Sequence, residues 1–145
     1  MITNADITLY NAYYSKEEGI TKYNKSYLKG VNFQSTKSIK LSETKGLLSS
    51  DVVKIFIPFS VDSDGKRYIQ PKAYKRLNDD EKHRYFTFNN DDKVVKGIID
   101  FEITGVKPNN LKYLEEMYDD VYNIISVNTN DNGSPSMQHW EVGAK

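Results

Sequence analysis

Two histidines, two pairs of adjacent aspartates and a run of lysines interleaved with tyrosines are the side chains here with chemistry to offer. His83 sits in Asp80-Glu81-Lys82-His83-Arg84. No neighbour has the spacing of an acid–base partner, and a histidine suits the C-terminal end of a short helix, where a cation complements the backbone dipole. His139 adjoins Trp140, the only tryptophan. That pair reads as packing, or alternatively as an interface contact. Two histidines so far apart leave any metal site to carboxylates. Asp62-Ser63-Asp64-Gly65 opens like a calcium loop but lacks the twelve-residue ligand pattern and the closing glutamate, so it reads as a turn. Asp91-Asp92 and Asp119-Asp120 would activate a metal-bound water only if the fold joined them. Neighbouring residues on a strand face opposite ways, and turn placement suits both pairs. There is no glycine-rich phosphate loop and no serine elbow. The absence of cysteine removes disulfides, thiolate zinc sites and cysteine nucleophiles together. The expectation is a protein that is not an enzyme and needs no cofactor or metal.

Lys22, Lys25 and Lys29 alternate with Tyr23 and Tyr27. This pattern is compatible with a platform on which single-stranded bases stack, but such platforms usually carry net positive charge. The formal charge here is +0, from 20 basic and 20 acidic residues. An assembly interface explains the same tyrosines and lysines without a ligand. The charge is unevenly placed. Residues 21–45 carry six lysines against Glu43, and residues 78–120 carry eleven acids against six bases. Two solvated faces of one monomer account for this. So does a head-to-tail contact in which the basic edge of one subunit meets the acidic edge of the next, closing a ring. A third reading sets the lysines against DNA phosphates.

These residues must be positioned by strands. With 145 residues, one domain is expected, large enough to bury a core unaided. Alternation predicts strands over 6–14, 20–33, 51–59, 85–88, 93–103 (broken at Gly97) and 122–127, the last one buried. In the second, Tyr23, Tyr27, Val31 and Phe33 are read as one face interrupted by Lys25 and Lys29. Its lysines suggest an edge strand, and Gly30 a bulge or bend. Short helices are predicted over 71–77 and from Asn78 to about Arg84, with a better one over 108–118, where Leu111, Leu114 and Tyr118 share a face. Gly133 and Pro135 bend the chain before a strand-like 137–142. Residues 34–50 are rich in Ser, Thr and Lys and read as a functional or disordered loop, whose Lys37, Ile39, Lys40, Leu41, Lys45, Leu47 and Leu48 suit a channel or intersubunit contact. Strands not separated by regular helices argue against a parallel sheet. The fold expected is mainly β with minor α: a small antiparallel β-barrel or sandwich with one or two short peripheral helices. No apolar run approaches a membrane span, and the first residues lack the pattern of a signal peptide, which predicts a protein made in the cytoplasm and without a membrane partner.

Four stretches carry a resemblance: ITNADITLY at 2–10, KGVNF at 29–33, DKVVKGII at 92–99 and GSPSMQHWEV at 133–142. Together and in this order the chain resembles a family of short phage and prophage proteins encoded among the capsid, neck and tail genes of Firmicutes phages. Its size, β-rich layout and long loop are similar to head-completion proteins, small β-barrels that form rings between portal and tail and in some cases project a loop into the DNA channel. The resemblance implies a head–tail connector subunit of the virion neck. It would form a hexameric or dodecameric ring, made in the bacterial host cytoplasm, with portal or adaptor and tail proteins as partners and packaged DNA as a further contact. Lys22, Lys25, Lys29, Tyr23, Tyr27, His139 and Trp140 would then be interface candidates. The helical segments exceed what a minimal stopper barrel needs and would face portal, adaptor or tail. A tail terminator or minor tail protein is the alternative within this class, and a small nucleic-acid-binding module the alternative outside it.

Overall fold

A computed structural model describes residues 2–36, 52–104 and 110–145. The loop candidates Lys37, Ile39, Lys40, Leu41, Lys45, Leu47 and Leu48 lie outside the described residues, as does Pro108.

Six strands close into an antiparallel barrel. They are β1 (Ala5–Ser15), β2 (Ile20–Thr36), β3 (Val52–Pro58), β6 (Lys93–Lys96), β7 (Val121–Asn130) and β8 (His139–Ala144), in the spatial order β1-β2-β3-β8-β7-β6. Closure pairs β1 with β6, so the sheet has no terminal edge strand, the usual hazard of antiparallel strands. Two-residue strands β4 (Arg67–Tyr68) and β5 (Tyr85–Phe86) pair in parallel outside the barrel. The helices are short: α1 (Pro71–Arg76), α2 (Asp79–Lys82) and α3 (Leu111–Met117), with a single 3-10 turn at Pro135–Met137. The expected barrel is therefore present, with peripheral helices close to where the sequence placed them.

The interior follows the period of two. Ile7 and Leu9 from β1, Val53, Ile55 and Ile57 from β3, and Val142 and Ala144 from β8 are fully buried in one cluster. Burying an aliphatic side chain of this kind contributes about 1.5–3 kcal/mol. Two bulges adjust the pattern. On β2, Lys29 pairs with Asp6 and Val31 with Ala5, so Gly30 is the extra residue, at φ +88°. This corrects the face expected for β2. Before Gly30 the inward residues are Asn24, Ser26 and Leu28, and after it they are Val31 and Phe33. Tyr23, Lys25, Tyr27 and Lys29 therefore lie together on the outer face. On β7 the register shifts between Ile124 and Ser126, and Ile125 turns outward, 48% exposed. Strand β7 is consequently mostly exposed, not buried as its apolar run suggested; only Ile124 is fully covered.

The edge expected for β2 is met only in part. Residues 20–31 pair with β1 on one side, and 32–36 pair with β3 on the other. The free flank of the first part is covered by the β3–β6 connection, through a bridge between Lys29 and Asp62 and a bond from Lys66 Nζ to the Lys25 carbonyl at 2.6 Å. The same connection brings Phe86 and Phe88 into the barrel end, where both meet Tyr68 and Trp140, and Phe59 packs on Trp140. Residues 97–101, which follow β6, instead cross the outside of β1. Thr8 Oγ1 donates to the Gly97 carbonyl at 2.7 Å, and the Tyr10 hydroxyl to that of Phe101 at 2.6 Å. Leu114 of α3 completes a second core there with Tyr10, Val95 and Ile103. No helix of the described residues is long and apolar enough to cross a membrane.

Candidate functional site

The lysine–tyrosine ribbon lies along the outer face of β2. Lys22 pairs with Glu18 across the turn of the β1–β2 hairpin. Lys25 Nζ lies 2.6 Å from Glu102 Oε1 and 5.2 Å from the centre of the Tyr27 ring. Tyr23 is half-buried against the second core. Lys29 is exposed. The basic and acidic stretches thus meet within one chain at Lys25 and Glu102. That contact accounts for part of the charge asymmetry without a second subunit.

The tail residues separate. Trp140 is 5% exposed and its ring packs 4.4 Å from Phe59 and 4.5 Å from Tyr68, centre to centre. As an interface candidate it is corrected: strand alternation turns it into the barrel, so it supports a surface rather than forming one. His139, one residue earlier, faces out. Its Nδ1 lies 2.9 Å from the Met137 carbonyl, which can only accept. The network therefore assigns the proton to Nδ1, leaving Nε2 to accept from Asn130 Nδ2 at 3.0 Å. Phe56 meets the ring edge-on at 5.7 Å. His83 is exposed at the end of α2.

The two acid pairs stay apart. The β6–β7 pairing puts Lys93 opposite Asn123 and Val95 opposite Val121, so Asp92 and Asp120 stand at opposite ends of it. Among the described residues no three His, Cys, Asp or Glu side chains gather as a metal site. Asp62-Ser63-Asp64-Gly65 is a turn, with Asp64 at φ 59° and its N–H bonded to Asp62 Oδ1 at 3.1 Å.

Sequence reasoning missed a buried polar network where the hairpin leaves the barrel. Asn11 and Asn24 are partners across β1 and β2, and both occupy the inward face. Asn11 Nδ2 donates to the Thr87 carbonyl at 2.6 Å and to Asp92 Oδ2 at 2.7 Å, and Asn11 Oδ1 accepts from Thr87 N at 3.2 Å. Asp92 also accepts from the backbone N–H groups of Ala12 at 3.1 Å and Asn89 at 3.2 Å. Burial pushes its carboxyl up to about 6, against the opposing pull of these donors. Asn24 Nδ2 donates to the carbonyls of Lys82 at 2.8 Å and Tyr85 at 2.9 Å, while Asn24 Oδ1 accepts from Lys66 Nζ at 3.0 Å. Desolvation lowers Lys66 to about 8. The signal was present: Asn11 continues the face of Ile7 and Leu9, and Asn24 that of Leu28. A polar side chain in register with a core face must find partners.

Beside this network lies a cavity of about 390 Å³ between the hairpin and helices α1 and α2. Tyr13, Tyr74 and Pro71 form apolar walls, Asp92 and Lys82 line it, and Lys16 and Lys75 are exposed at its rim. Helix α2 is held there by a capping box. Asn78 Oδ1 accepts from Glu81 N at 2.8 Å, and Glu81 Oε1 accepts from Asn78 N at 3.2 Å. Asp79 accepts from Ser15 Oγ at 2.6 Å, which ties the helix to the hairpin.

No curated protein and no solved structure matches this chain. Over residues 2–145 it matches a family described as "Family of unknown function (DUF6751)", and it belongs to that family.

Proposed function

We propose that this protein is a structural subunit of a phage neck, a head–tail connector that acts by assembling into a ring. The observation that carries this reading is a small closed barrel from which the β1–β2 hairpin projects with apolar side chains in solvent. Tyr14 is 62% exposed and Ile20 46% exposed at its end. Beside them runs the outer ribbon of Tyr23, Lys25, Tyr27 and Lys29. An exposed tyrosine at the end of a hairpin fits protein–protein contacts, in which tyrosine is enriched. Residues 34–50 keep their proposed role in a channel or subunit contact. Residues 34–36 belong to β2, and 37–51 join Thr36 to Val52, which are partners across β2 and β3. A tail terminator is the second reading, and it uses the same surface.

The internal Lys25–Glu102 pair shapes the test. Reversing Lys25 disturbs a contact within the monomer, so Lys29→Glu is the cleaner probe of a basic edge, and Tyr14→Ser with Ile20→Ser the probe of the hairpin. All three positions are surface sites, where substitution changes stability by about 0.5 kcal/mol or less. Expected are folded monomers with depressed incorporation into particles. Normal incorporation of both variants would remove the ribbon and the hairpin from the assembly model.

A further inference from the structure

The cavity under the hairpin has features that an assembly surface does not need. Lys82 is 4% exposed, yet its ammonium has one oxygen acceptor, the Leu77 carbonyl. Its other contacts are the faces of Tyr13 and Tyr74, whose ring centres lie 5.4 and 5.6 Å from Nζ. An ammonium has three donors, so two are left without an oxygen among the described residues. A buried charge is costly unless it is paired. Two tyrosine faces offset part of that cost.

The remaining charges favour an anion. Lys16 and Lys75 stand at the rim, and Lys82 lines the interior. Opposing them is Asp92, whose oxygens are occupied by Asn11, Ala12 and Asn89. Asp79, in the adjoining cleft, is engaged by Ser15. The volume falls in the range of small-molecule sites, and the walls are aromatic, as such sites usually are.

We propose that this cavity is a binding site for a small organic anion with an apolar body, its carboxylate held by Lys82 and its body between Tyr13 and Tyr74. Lys16 and Lys75 draw the anion to the mouth. The site is independent of the assembly reading, and either can fail alone.

The test is an NMR titration of the purified chain with phenylacetate and with phenylacetamide, its neutral counterpart. Phenylacetate is expected to shift the Ala12 methyl and the Tyr13 and Tyr74 ring signals saturably, and to bind about tenfold or more tightly than phenylacetamide. Lys82→Met should abolish that preference while phenylacetamide still binds. Equal affinity for the two probes, unmoved cavity signals, or a preference that survives Lys82→Met would overturn the site. Should Lys82→Met fail to fold, the Lys16→Gln/Lys75→Gln double variant decides instead: a reduced preference supports the site, and an undiminished one overturns it.

Discussion

Asp92 shows how one side chain ties local chemistry to stability. Its carboxylate satisfies three donors, two of them backbone N–H groups. Asn at this position turns an NH2 group toward N–H donors, leaving buried donors unpaired at about 1–3 kcal/mol. The ionised form is nonetheless disfavoured by burial, which holds the folded-state pKa near 6, above the usual 3.8. Between these two values the folded state binds more protons than the unfolded state, so this group's contribution falls as pH rises from about 4 to 6 and is level above that. Thermal melts of the wild type and Asp92→Asn across that window check the sign: this part of the pH dependence should vanish in the variant. Trp140 gives a second prediction at this scale. Sealed among Phe59, Tyr68, Phe86 and Phe88, it should emit as a buried indole and shift to the red only on global unfolding. Trp140→Ala should cost about 3–5 kcal/mol. Trp140→Phe should cost less, because its indole N–H has no hydrogen-bond partner among the described residues.

At the scale of elements, the hairpin and the connection over it depend on a few polar anchors. Asn24→Ala removes the donors to the Lys82 and Tyr85 carbonyls and the acceptor of Lys66. The expected loss is about 2–4 kcal/mol, read by denaturant unfolding, with hydrogen exchange rising first over 62–86. Gly30→Ala meets no atom closer than Thr3 at 3.9 Å, so its cost, about 1–3 kcal/mol, comes from placing a side chain at φ +88°. These elements also show what the sequence could convey. Strict alternation in 53–57 and 7–9 made the barrel walls legible, and Pro71, Asn78 and the Leu111–Leu114 spacing marked the helices. The bulges were harder to read. Gly30 was visible as a candidate, but only the pairing of Lys29 and Val31 with consecutive β1 residues shows that the face of β2 switches there. On β7 nothing in the apolar run Ile124-Ile125 signals which residue turns out. The Asn11–Asn24–Asp92 network joins residues up to 81 positions apart, beyond any local pattern.

For the whole molecule, the question is which surfaces remain for partners once the chain has satisfied itself. Part of the charge asymmetry that suggests a head-to-tail ring is answered internally, by Glu18 with Lys22 and Glu102 with Lys25. The Lys22–Glu18 pair is exposed and contributes little, so breaking it is mild for the fold. Lys29, the hairpin end at Tyr14 and Ile20, and the outward-turned Ile125 are left as the surface an assembly would cover. The measurement that tests this account most directly is a cryo-EM reconstruction of the particle encoded beside this chain, focused on the junction between head and tail. The account predicts a ring of these barrels below the portal, with the β1–β2 hairpin of each subunit against its neighbour. Absence of the chain from the particle would contradict it.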